Sequence, residues 1–336
     1  MIQYSDLEKF DTSKMYEVYD DWPKIAKKSY NTELKSIKSL EVSHIVFAGM
    51  GGSGALGDIF RSILDKTSIH TSIVKGYVLP KTVDKNTLVV VTSVSGNTQE
   101  TLSILKHANN LKCNLIAFSS GGEIEDYCKK EKIEYRKIQQ FHSPRASFVS
   151  FLYTILKILE PILPINKNEI INSINELEKT SQNISSKNLT ENNLSLQLAN
   201  WITEIPVIYY PNGFQAVAIR FKNSLQENSK IHAMTEEILE TCHNGIVSWE
   251  SNIKLKPILI EGKDDHPKTK ERWIILKEYF DSQKIEYKEI LSIDNNILSK
   301  VISLIYQLDY ASIYLAILKQ KDPSPVDAIN FIKNKL

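Results

Sequence analysis

The stretch Val90-Val91-Thr92-Ser93-Val94-Ser95-Gly96-Asn97-Thr98-Gln99-Glu100-Thr101-Leu102 decides how this chain is read. The apolar run from Leu88 to Val91 stops abruptly, hydroxyl side chains and one glycine take over, and a helical pattern begins at Glu100. That order predicts a strand, a loop and a helix start. The loop offers Ser93, Ser95 and Thr98 as hydroxyl donors beside the unpaired N–H groups of the following helix, whose dipole favours an anion at that end. A phosphate would fit there. The competing reading is that Thr98 merely caps the helix, as threonine commonly does, and the residues alone leave both open.

Upstream, His44-Ile45-Val46-Phe47-Ala48-Gly49 has the largely apolar character of a fully buried parallel strand. It flows into Gly49-Met50-Gly51-Gly52-Ser53-Gly54, with a helix expected from about Ala55 to Leu64. Gly49, Gly51 and Gly54 fit the dinucleotide fingerprint GxGxxG. Its acidic partner, expected about twenty residues on, would lie near Ile73 to Tyr77, and Ser72-Ile73-Val74-Lys75-Gly76-Tyr77 contains no carboxylate. Lys75 suits a 2′-phosphate instead, yet no hydride-transfer constellation follows. The glycines therefore read as letting backbone approach a small ligand closely, with Ser53 as a polar contact.

Further strands are expected at Ser72 to Val74 and at Asn114 to Phe118, the latter ending in Ser119-Ser120-Gly121-Gly122. Strands separated by helical patterns imply βαβ units and a parallel sheet, with ligands outside the strands' carboxyl ends. The pattern returns at Pro206 to Tyr210 and Pro257 to Ile260, with helices expected at about 215–229, 268–282 and 297–319. The fold class is therefore α/β. Residues 1–40 read as an N-terminal helical arm, whose second, polar helix ends near Leu40, and residues 41–160 as a first α/β domain closed by the apolar helix Ala146 to Leu159. Residues 161–200 read as a helical linker, and 201–336 as a second α/β domain.

Composition removes several classes of function. Lysine plus arginine number 41 against 40 aspartate plus glutamate, and a net charge of +1 leaves no footprint for nucleic acid or an anionic membrane surface. Cys113, Cys128 and Cys242 form no CxxC pair and fit a reducing compartment. They make no metal knuckle. Asp6, Glu8 and Lys9 stand where a signal peptide would be apolar, and no apolar run approaches ~20 residues, so a soluble, cytoplasmic protein is expected.

Three groups carry chemistry. Glu227, at the end of the helical stretch Arg220 to Lys230, is a candidate base, although glutamate at a helix end is ordinarily a surface charge. His243, in Glu240-Thr241-Cys242-His243-Asn244, has an ordinary pKa suited to proton transfer near neutrality, with a structural histidine as its alternative. Arg145, in Phe141-His142-Ser143-Pro144-Arg145, has a surface ion pair as its alternative.

Six motifs in order strongly resemble one family: the glycine loop, Ser93 to Thr98 with Glu100-Thr101, Pro144-Arg145-Ala146, Glu227-Asn228-Ser229-Lys230, His243-Asn244 and Asp322-Pro323-Ser324-Pro325-Val326. They resemble the bifunctional phosphoglucose/phosphomannose isomerases of the phosphoglucose isomerase superfamily. The resemblance implies two sugar-isomerase (SIS) domains, each doubly wound with a parallel sheet flanked by helices. It implies that Gly52, Ser53, Ser93, Ser95 and Thr98 hold the phosphate of a hexose 6-phosphate. It makes Arg145 the arginine beside the enediolate and Glu227 the base between C2 and C1. His243 becomes the ring-opening histidine, supplied in a homodimer by the neighbouring protomer. Lys333, in Ile329-Asn330-Phe331-Ile332-Lys333-Asn334-Lys335-Leu336, resembles the family's ring-oxygen lysine, with Lys335 as the alternative.

The reaction implied joins glucose 6-phosphate and mannose 6-phosphate to fructose 6-phosphate by proton transfer, which calls for no metal or redox cofactor. Three positions depart from the family pattern: Gly245 replaces the usual Glu, Gln99 a common acidic residue, and Ser324 the usual threonine. The competing class is a non-catalytic SIS-type module that binds sugar phosphate for regulation. Such a module needs the phosphate loop but not Glu227, His243 and Arg145 together.

Overall fold

In a computed structural model, which describes residues 2–251 and 254–335, the apolar runs become the central strands of two parallel sheets. The first sheet comprises β1 (His44–Ala48), β2 (His70–Val74), β3 (Thr87–Ser93), β4 (Asn114–Ser119) and β5 (Glu134–Lys137), in the order β2-β1-β3-β4-β5. All its pairings are parallel. Every residue of β1 and β3 is buried, as helices on both faces require, so these strands read as continuous apolar runs. The order reverses between β1 and β3, and the crevice outside their carboxyl ends is where such sheets bind ligands.

The second sheet comprises β6 (Ile205–Tyr210), β7 (Met234–Glu237), β8 (Leu255–Glu261) and β9 (Lys288–Leu291), again parallel, in the order β7-β6-β8-β9. The chain forms two compact units, one of Asp21–Asn175 with the first sheet, the other of Met1–Asp20 together with Glu176–Leu336 and the second sheet.

Within the first unit, the helix Phe148–Leu159 buries every side chain but that of Lys157. Trp22, opening the helix Trp22–Tyr30, stacks on Phe148 at 6.2 Å between ring centroids, and its indole N–H donates to the Ala146 carbonyl at 3.0 Å. The second unit is built on the helix Ile297–Leu318, long and apolar enough to cross a bilayer but with 89% of its most apolar window buried inside the protein. Its tyrosine hydroxyls show why it belongs to a core. Tyr310 donates to the Tyr16 carbonyl at 3.0 Å and Tyr314 to the Ile184 carbonyl at 2.8 Å, so each buried polar tip is satisfied.

Two local expectations are corrected. Residues 32–43 contain no helix; exposure alternates from residue to residue up to Ile37, whose N–H donates to the Ile158 carbonyl at 3.1 Å, so the segment runs extended along the helix Phe148–Leu159. The strands β5, β7 and β9 have no counterpart in the sequence reading. Each is four residues long, carries at least two charged residues and lies at a sheet edge, where charge and exposure replace the apolar signal.

Candidate active site

The first unit gathers its polar loops at the carboxyl ends of β1 and β3. The helix Gly51–Leu64 begins immediately after β1, earlier than expected, with Gly51 at φ +52°. A side chain at Gly49 would stand 2.8 Å from the Thr92 carbonyl oxygen, and one at Gly54 2.8 Å from that of Gly49, so glycine lets this turn pack on the end of β3 and close on itself. Ser53 is buried and its Oγ accepts from Val94 N at 3.1 Å, tying the glycine loop to the serine loop. A hydroxyl has one proton and two lone pairs, and this bond uses a lone pair.

The serine loop is wound on itself. Ser93 Oγ lies 2.9 Å from Thr98 Oγ1 and accepts from Gly96 N at 3.1 Å, while Ser95 Oγ accepts from Asn97 N at 3.3 Å. Thr98 occupies the N-cap of the helix Gln99–Leu111, yet its side chain makes no capping hydrogen bond. The capping alternative is thereby set aside. The hydroxyl turns to Ser93, so the Thr98 side chain does not occupy the helix N-terminus, the end that favours an anion.

The loop after β4 holds this arrangement in place, a role that local sequence reading missed. Ser120 N donates to the Val94 carbonyl and Ile124 N to that of Gly96, both at 3.0 Å, and Glu123 N donates to Asn97 Oδ1 at 3.0 Å. Gly96 has φ +75°, and an added Cβ would overlap the Gly121 carbonyl oxygen. Only tertiary proximity joins these residues; the clue was a second small-residue loop at a neighbouring strand end.

Arg145 joins the same cluster. It is 4% exposed, which rules out a surface ion pair as its sole role. Its backbone packs on Gly52, where a Cβ would lie 3.5 Å from both Arg145 Cα and the Pro144 carbonyl oxygen. Ser147 Oγ accepts from Phe141 N at 2.8 Å and closes the turn that presents Arg145. Lys75 packs against Gly54, where an added Cβ would lie 3.1 Å from its Cε, and its Nζ bonds the Asp58 carboxylate at 2.6 and 2.8 Å, so its charge already has a partner.

In the second unit, Glu227 is the last residue of the helix Gln215–Glu227 and is half-buried. The rest of its motif is structural. Asn228 Nδ2 donates to Ser312 Oγ at 2.8 Å and Ser229 Oγ to the Ser312 carbonyl at 2.6 Å. Lys230, at φ +58°, donates from Nζ to the Glu227 carbonyl at 2.6 Å and to that of Pro323 at 3.2 Å, closing the helix end and fastening the Asp322–Val326 segment. Ser324 lies in that segment, its Oγ 3.5 Å from Asp11 Oδ1; burial first, and then the charge of Asp322, push the Asp11 carboxyl up.

His243 is exposed and follows β7 and the helix Ile238–Thr241. Asn244 Nδ2 donates to Glu240 Oε1 at 2.6 Å. At Gly245 the mobile end of the Glu236 side chain lies where a Cβ would stand. Topology separates the two candidate acid–base groups. The helix Gln215–Glu227 runs back between the parallel strands β6 and β7, leaving Glu227 at the amino edge of the second sheet, whereas His243 comes after the carboxyl end of β7.

Lys333 ends the helix Asp327–Lys333, none of whose residues is buried, and Lys335 Nζ lies over the Phe331 ring at 5.8 Å. Leu336 of that pattern lies outside the described residues.

Known proteins align with this arrangement along nearly its whole length. The family model described as the bacterial phospho-glucose isomerase C-terminal SIS domain matches residues 191–336. A bifunctional phosphoglucose/phosphomannose isomerase of Caldicellulosiruptor bescii is 32% identical over 96% of this chain and 98% of that protein. One of the same name from Aquifex aeolicus is 30% identical over 87% of this chain and 90% of its own length. Among solved structures, a hypothetical protein from Thermus thermophilus shares the fold with a TM-score of 0.74 at 13% identity, covering 98% of this chain and 91% of that one. With sequence kinship of this extent and a doubly wound SIS-type fold, the chain belongs to the bifunctional phosphoglucose/phosphomannose isomerase family.

Proposed function

We propose that the protein interconverts glucose 6-phosphate and mannose 6-phosphate with fructose 6-phosphate through a cis-enediolate. Family membership supports the reaction class, and the observation that carries the reading is the cradle of Ser53, Ser93, Ser95 and Thr98 at an uncapped helix N-terminus, beside Gly52 and the buried Arg145. The cradle grips the phosphate at C6, and binding energy from that remote group holds C1 and C2 under the base.

His243, with Lys333, opens the sugar ring. Glu227 removes the C2 proton and returns it to C1, and Arg145 stabilises the developing oxyanion. Rotation about C2–C3 in the open chain lets one base serve both epimers. A coupled assay for fructose 6-phosphate from each aldose tests this. Product from both is expected; none from mannose 6-phosphate would remove the second activity, and none from either would remove the first.

We further propose a homodimer in which His243 serves the partner's site. The placement of Glu227 and His243 at opposite edges of one sheet supports it. Mixing Glu227→Gln chains with His243→Ala chains should then restore activity to about a quarter of the wild-type level, since random pairing leaves one intact site in half of the dimers. No recovery from a mixture shown to exchange subunits would refute the shared site. The free thiols Cys113, Cys128 and Cys242 support a reducing, cytoplasmic location.

A further inference from the structure

We propose that the buried Arg220–Asp309 pair is a positioning device for Glu227, fixing the register of the helix Gln215–Glu227 on the helix Ile297–Leu318. The inference rests on the reading of Glu227 as the base. Asp309 is fully buried and accepts from Arg220 Nη2 at 2.7 Å and Nε at 3.1 Å, from Ser224 Oγ at 2.6 Å and from Tyr19 OH at 3.1 Å. Arg220 is 2% exposed.

Arg220, Ser224 and Glu227 stand at i, i+4 and i+7, one stripe of the helix. That stripe is bonded along its length: Arg220 and Ser224 meet Asp309, and beyond Glu227 the side chains of Asn228 and Ser229 meet Ser312, one turn on from Asp309. Burial works against the guanidinium charge, but the Asp309 carboxylate outweighs it, with Tyr19 and Glu227 adding to the pull, and the Arg220 pKa is held above its ordinary value. Glu227 is therefore within electrostatic reach of the pair.

Stability alone gives little reason for such a pair, because apolar residues of similar volume commonly serve a core as well or better. What an apolar contact lacks is direction. It repacks when a helix slides, whereas a guanidinium–carboxylate fork holds one geometry. The carboxylate that must meet C1 and C2 extends from that same stripe, and a displacement of about 1 Å can lower a rate a hundredfold.

The experiment compares the wild type, Glu227→Gln, Arg220→Met/Asp309→Leu, and the combination of all three, each melted by circular dichroism and assayed with glucose 6-phosphate. The paired apolar replacement should fold and lose about tenfold to a hundredfold in kcat, with KM within about twofold because the phosphate cradle is untouched. In the Glu227→Gln background it should cause no further loss, since the group it positions is gone. An unchanged kcat in a folded protein, or an equal loss in both backgrounds, overturns the inference. Near-normal turnover of Glu227→Gln alone instead overturns the base assignment. Should the paired variant not fold, Ser224→Ala removes one bond to Asp309 without unpairing a charge. A loss of about fivefold confined to the Glu227 background is expected, and no loss refutes the inference.

Discussion

Ser53→Ala isolates the phosphate cradle from the rest of the proposed machinery, because the hydroxyl has two separable duties. As an acceptor it satisfies Val94 N at 3.1 Å in a buried loop. Deleting it leaves that N–H without its partner, at about 1–3 kcal/mol, or a melting temperature lower by about 2–10 °C. As a donor it serves the phosphate in the proposed site, where a hydrogen bond to a charged group contributes about 1.5–3 kcal/mol, close to a ten- to hundredfold change in affinity. Initial rates with glucose 6-phosphate give KM and kcat, and inorganic phosphate as a competitive inhibitor gives a Ki that depends on the cradle alone. KM and Ki should rise together by that factor. A folded variant with raised KM but an unchanged Ki for phosphate would refute the cradle, as would one with neither changed.

Gly96→Ala should be worse than its single methyl suggests. At φ +75° the left-handed backbone costs an alanine about 1–2 kcal/mol, and the added Cβ overlaps the Gly121 carbonyl oxygen, so the serine loop must shift. A lower melting temperature with at least a tenfold loss of kcat/KM is expected, against no change for Gly76→Ala, where no atom lies within 4 Å; equal behaviour of the two would contradict the loop geometry. His44 predicts an acid dependence. Its ring lies 4.7 Å from that of His70, its Nε2 is 2.9 Å from Ser72 Oγ, and burial, then the charge of His70, hold its pKa below the ordinary 6.5. The unfolded chain then binds more protons just below pH 6.5, so stability present above that pH is lost as pH falls through the folded value. Melting temperature should drop as the pH falls below 6.5, with a shallower slope in His44→Asn; identical slopes would exclude His44 as the cause.

What the sequence disclosed follows from where each signal is written. Strands β1 and β3 announce themselves because both faces are buried and their central residues, Ile45 to Ala48 and Leu88 to Val91, are all apolar. Strand β7, Met-Thr-Glu-Glu, does not, since its presence is decided by the neighbour it pairs with rather than by its own residues. The serine loop was visible as a cluster of hydroxyls. Whether Thr98 capped its helix was not, because that depends on a side-chain torsion settled by Ser93. The bond from Val94 to Ser53, and the carbonyl of Gly121 that forbids a side chain at residue 96, join positions about twenty-five to forty apart in the chain. No local pattern encodes them. Arg220 read as one polar residue in a mixed helix, and only its burial against Asp309 distinguishes it from its neighbours.

The unit that joins Met1–Asp20 to Glu176–Leu336 also dictates a timetable for synthesis. Tyr16 and Tyr19 are synthesised about 290 residues before their carbonyl and hydroxyl partners, Tyr310 and Asp309. The stretch Asp21–Asn175 has all its strands in hand midway through translation, while the opening twenty residues must wait, without a docking surface, for the helix Ile297–Leu318 to appear. That helix is itself apolar on nearly every face. The contacts that complete this unit therefore span about 290 residues of chain, and such long-range closure is slow and leaves an apolar helix exposed until it forms.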